Sequence, residues 1–192
     1  MVRRVHLHLA PCMAVAFSFW LAGSASAHGV RHRAYQGPIP ANCPPSPTLR
    51  LFEPSVFGAG VGRNPVWAVG LQLPVTLVGE HTVHGWGNKV LWAIAPHTPG
   101  KILLRGWNLR SGAPIWFSFN GVGNGTVAYA TRGAVIGPRQ RGAQEVMPNG
   151  KPVNMHGWRG FPSAIYLPSA GCYVLFAQWR SGAWIVPFAA GG

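Results

Sequence analysis

The sequence predicts an all-β protein, and three observations carry that prediction. Glycine and proline occupy 26 and 18 of the 192 positions and are spread so that no window of three helical turns escapes them. From Pro65 onward, short apolar or alternating runs recur between Gly, Pro and Asn punctuation, the pattern of strands separated by turns. The last two runs flank Arg180-Ser181-Gly182, which has the composition of a hairpin turn.

In chain order, residues 1–27 have the layout of a secretory signal: Arg3 and Arg4, an apolar run from Pro11 to Gly23, then the small residues Ala25-Ser26-Ala27. The run falls short of the roughly 20 residues that span a bilayer. The expectation is therefore cleavage after Ala27, a secreted or otherwise extracytoplasmic mature chain beginning at His28, and no membrane span after cleavage. Residues 28–64 read as an irregular Pro/Gly-rich arm, and residues 65–192 as one β domain. Its strands are expected at 66–73, 75–83, 89–95, 101–107, 115–119, 126–131, 164–167, 172–179 and 184–188. Between the expected strands 126–131 and 164–167, residues 133–160 read as a long basic loop containing Arg139, Arg141 and Lys151. Structureless loops of that length tend to be functional or mobile.

Strands of this number and length fit a sandwich of about seven to nine strands. The stretch from Phe161 to Trp179 has the layout of the last strands of an immunoglobulin-like sandwich: a strand, a Pro/Gly corner, then an alternating strand opened by an aromatic residue. Tyr173 would sit at that corner. Together with Gly87-Asn-Lys-Val-Leu-Trp92 and Gly112-Ala-Pro-Ile-Trp-Phe117, this stretch resembles an uncharacterised group of secreted bacterial proteins that end in a Gly-Cys-Tyr/Trp strand and hairpin. The resemblance covers about residues 65–190. It implies an immunoglobulin-like fold and no activity.

Loss of residues 1–27 would remove Cys12 and leave Cys43 and Cys172, an even number suited to one disulfide in an oxidising compartment. Charge is one-sided: 16 Lys and Arg face only three acidic residues, Glu53, Glu80 and Glu145. Such a protein is drawn to anionic polymers and surfaces at low salt. The basic residues are scattered, no nucleic-acid motif is present and export removes a genomic partner, so nucleic acid is not the expected ligand. Anionic or glycan components of the cell surface are.

The same scarcity of acid excludes paired-carboxylate chemistry, since three separated glutamates offer no local pair. The Gly-x-Ser-x-Gly elbow, His-Glu-x-x-His, the phosphate-binding loop and the dinucleotide fingerprint are all absent. A non-catalytic binding protein is the first reading. Its candidate binding residues are Trp86 and Trp158, in the repeated segments His84-Gly-Trp86 and His156-Gly-Trp158, with Arg139, Arg141 and Lys151 of the basic loop. Trp184 is a further candidate, because indole faces stack on sugar rings. Trp92, Trp107, Trp116 and Trp179 fall inside strand patterns and are expected in the core. The alternative is a copper protein without other cofactors. A mature terminus at His28 would offer an amine and an imidazole to one metal, with His84 and His156 as candidate further ligands. The opening His28-Gly29 resembles the start of the copper monooxygenases that act on chitin and cellulose.

Overall fold

A computed structural model describes residues 39–51, 58–78, 81–119, 130–143 and 154–192. Residues 1–38, which hold the expected signal and His28, lie outside them, as do Lys151 and all three glutamates.

The described chain is all-β and forms two sheets. The larger holds β1 (Arg50–Leu51), β2 (Ala59–Arg63), β3 (Val66–Val69), β5 (His81–Thr82), β6 (Gly85–Ile94), β8 (Trp116–Phe119) and β10 (Arg159–Leu167). Its order is β1-β2-β3-β6-β10-β8, with β5 folded back on the start of β6. The smaller sheet runs β4-β12-β11-β7-β9, built from β4 (Val75–Thr76), β7 (Ile102–Asn108), β9 (Ala134–Ile136), β11 (Gly171–Trp179) and β12 (Gly182–Gly191). Every pairing is antiparallel except that of β12 with β4.

Alternation along the strands explains the two-layer arrangement. In β7, Ile102, Leu104 and Gly106 are buried while Arg105 and Trp107 face solvent. In β6, Val90, Trp92 and Ile94 join the main core. That core packs Trp92, Phe117 and Trp184 between the sheets, with Trp92 and Trp184 stacked at 6.4 Å. Burying side chains of this size contributes about 1.5–3 kcal/mol each. Trp184 also ties the layers together by donating its indole N–H to the Val66 carbonyl at 2.8 Å. The Trp92 indole N–H, at the centre, has no acceptor among the described residues.

Two predicted features are present in detail. Cys43 and Cys172 form a disulfide across 129 residues of sequence, pinning the N-terminal arm to β11. Arg180 and Ser181 make a two-residue turn between β11 and β12. At the preceding corner, the Tyr173 hydroxyl donates to the Ser169 carbonyl at 2.7 Å and accepts from the Ser169 amide, locking the bend before β11.

Other boundaries differ. Strands begin before residue 65: β1 and β2 lie inside the segment read as an arm. Their Gly-rich sequence Ala59-Gly-Val-Gly-Arg63 carries no strand pattern. The glycines are required by contact, since a Cβ on Gly60 or Gly62 would meet the Ala68 or Val66 carbonyl within 2.7 Å. Strand β9 lies inside the segment read as loop, because three residues are too few for a period to register. The expected strand 126–131 lies mostly outside the described residues, though Thr131 bridges Phe117.

Strand register also lays out the outward face of the smaller sheet. Val135, Leu103, Gln178 and Ala183 lie in one row, Arg105, Phe176 and Ile185 in the next, and Trp107, Val174 and Pro187 in a third. On the larger sheet the outward residues Trp67, Val69, Leu91 and Ala93 form a second small cluster, closed over by Met155 and Trp158.

Candidate functional site

The two His-Gly-Trp segments do not meet. β6 and β10 run antiparallel with Trp86 opposite Leu167 and Ile94 opposite Arg159. His84-Gly-Trp86 therefore sits at one end of this ladder and His156-Gly-Trp158 just beyond the other, about 25 Å away at 3.3 Å per residue. The glycines serve different ends. A Cβ on Gly85, at φ 111°, would collide with the Leu167 carbonyl, so the residue lets β6 begin beneath the end of β10. Gly157, at φ 80°, belongs to a tight turn.

At the first end, the Thr82 hydroxyl donates to the Gly85 carbonyl and accepts the His84 amide, which fixes the turn between β5 and β6. The His84 ring stacks on Trp116 at 4.1 Å, and the Arg132 guanidinium lies 5.3 Å from the same indole. His81 meets Trp86 edge-on at 4.9 Å. Both imidazoles are thus engaged with indoles. Among the described residues no three His, Cys, Asp or Glu side chains gather as metal ligands, and His84 and His156 are too far apart to share an ion. The copper reading turns on His28, which lies outside the described residues.

At the other end, His156 adopts φ 48°, a left-handed conformation rare outside glycine, and its amide is held by the Asn154 side chain at 3.0 Å. The turn places Met155 and Trp158 over the larger sheet. Arg159 then donates one guanidinium nitrogen to the carbonyls of Gly137, Pro138 and Gln140 at 3.0–3.1 Å. Its burial pushes its pKa below the usual arginine value. This arginine is a clip that holds the exposed Arg139 and Arg141 beside the turn, along a shallow hollow of about 230 Å³ lined by residues 142–143 and 154–159.

Of the candidate tryptophans, Trp86 and Trp184 are buried and Trp158 is half-buried against the larger sheet. Trp107 and Trp116, expected in the core, are instead exposed and half-exposed. Strand periodicity sees only which residues alternate. The outer face of a sheet can also be apolar, and that choice is made by the partner layer.

Sequence reasoning missed a cleft where the edges of the two sheets converge. It has a volume of about 370 Å³ and is bordered by Pro45 and Pro47 of the arm, by Arg50, Arg63 and Trp67, and by Trp184 to Pro187 of β12. Arg63 donates to the Ala183 carbonyl at 2.5 Å and lies 5.9 Å from the Trp179 ring, so it bridges the sheets. Arg50 is exposed, and its guanidinium makes no hydrogen bond to another described residue. Trp67 donates its indole N–H to Asn64 at 3.2 Å. No carboxylate side chain is present among the described residues to neutralise the two arginines. The only sequence signal was a Pro-rich segment ending in an arginine, which has no motif. Comparison with known proteins returns no matching family, no similar curated protein and no similar solved structure.

Proposed function

We propose that the chain is an exported, non-catalytic β-sandwich of the immunoglobulin-like kind that binds anionic wall polymers or glycans at the cell surface. The corner hydrogen bond of Tyr173, ahead of the penultimate strand, supports the immunoglobulin-like reading. The Cys43–Cys172 bridge favours an oxidising, extracytoplasmic location. The observation that carries the binding reading is the cleft itself: an open groove with an exposed guanidinium that has no hydrogen-bond partner among the described residues, one structural guanidinium and an indole at its border, and no acidic side chain among the described residues. A guanidinium offers a planar fork of donors to a carboxylate or phosphate, and an indole offers a face to a sugar ring.

Affinity electrophoresis through gels containing polygalacturonate tests this, with peptidoglycan, chitin and cellulose pull-downs alongside. The protein without residues 1–27 should be retarded, and Arg50→Gln and Trp67→Ala should each weaken retardation several-fold. Retardation left unchanged by both substitutions, yet abolished by added salt, would reduce the interaction to nonspecific charge.

A further inference from the structure

The cleft leaves unexplained the outward face of the smaller sheet. Trp107, Val135 and Ile185 stand 38, 55 and 61 % exposed on three of its strands. Half-buried Phe176 lies between the strands that carry Trp107 and Ile185. Four strands about 4.8 Å apart make this a face roughly 14 Å wide. Arg105 sits in its middle row, with exposed Lys101 just before β7 and exposed Arg180 in the β11–β12 turn.

We propose that this face docks on an anionic lipid surface. Exposed aliphatic and indole side chains on one face enter the boundary between headgroups and acyl chains, where Trp is at home. The interleaved and flanking cations supply attraction to acidic headgroups, about fivefold in affinity for each Lys or Arg brought near the surface. Charge complementarity favours this occupant over a second copy of the chain. Two copies joined by this face would bring their Arg105 and Lys101 side chains together with no carboxylate side chain among the described residues to pair them. It is also favoured over a polysaccharide, because among the described residues the face offers few hydrogen-bonding side chains, Arg105, Gln178 and the Trp107 indole, between aliphatic ones. The inference goes beyond the cleft reading and does not depend on it: Ile185 borders both surfaces, but Trp107, Val135 and Phe176 do not border the cleft.

Co-sedimentation of the protein lacking residues 1–27 with vesicles tests it, using equimolar phosphatidylglycerol and phosphatidylcholine against phosphatidylcholine alone. Binding to the acidic vesicles should exceed binding to the neutral ones at least tenfold. The double variant Trp107→Ser/Val135→Ser should lower it about tenfold at an unchanged melting temperature. Val83→Ser is the control, since Val83 is 93 % exposed at the β5–β6 turn, away from this face, and should bind as the parent does. Arg50→Gln, which reports on the cleft, should leave vesicle binding unaltered. Three results would each overturn the proposal. One is the absence of binding to acidic vesicles. A second is a dimer in sedimentation velocity that Ile185→Ser dissociates. The third is loss of polygalacturonate retardation, with no loss of vesicle binding, in the double variant.

Discussion

On the larger sheet the outward apolar residues Trp67, Val69, Leu91 and Ala93 lie under Met155 and Trp158, whereas on the smaller sheet Trp107, Val135 and Ile185 stand in solvent. Both faces are apolar, and the difference lies in the connections. The chain between β9 and β10 is long enough to reach back across the larger sheet, and Arg159 and the Asn154 turn fix its ends. The smaller sheet joins β11 to β12 through two residues, which span the gap between strands and leave Val135 and Ile185 open, although Val174 in the third row is buried. An apolar face that a chain covers is part of its core. One that it leaves bare is available to something else.

Five measurements would show how far a roofed face and a bare one differ. The largest effect is expected from Cys43→Ser/Cys172→Ser, which frees the arm that borders the bare face and the cleft. Denaturant unfolding should show a loss of about 2–5 kcal/mol. Trp158→Ala removes the roof of the covered face and should cost about 2–3 kcal/mol, less than a fully buried indole because Trp158 is half-buried. Arg159→Ala leaves three carbonyls without their donor and should cost about 1–3 kcal/mol. It should also speed amide exchange in residues 137–143, and unchanged protection there would refute the clip. In the core, Trp184→Phe gives up the bond to the Val66 carbonyl and should cost about 1 kcal/mol more than Trp92→Phe, whose indole N–H has no acceptor to lose. Smallest of all, Ile185→Ser on the bare face should change stability by less than about 0.5 kcal/mol. A loss as large as that of Trp158→Ala would mean the face is covered after all.

Much of the fold was legible because it rests on local rules. Alternation in Ile102–Asn108 and Gly171–Trp179, the short turn at Arg180-Ser181 and the aromatic residue opening β11 all register within a few residues. Strands β1, β2 and β9 were not legible. They are short or Gly-rich, and they exist because a neighbouring strand presents an edge, a fact that no window of sequence contains. The site fared worse for the same reason. His84-Gly-Trp86 and His156-Gly-Trp158 look like two halves of one site, yet antiparallel pairing of β6 with β10 carries them apart. The cleft draws Arg50 together with Trp184 and Pro187, residues more than a hundred positions distant.

The all-β class, the pairing of Cys43 with Cys172 and a surface chemistry of cations with almost no acid could be read from the residues alone. Composition, and the two cysteines that remain once Cys12 is set aside with the expected signal, act on the chain as a whole, whatever its topology. Which tryptophans face water, which apolar face is roofed and which arginines border the cleft came from the folded arrangement. Each of those is a relation between strands that meet through the sheets, and burial is a property of the pair.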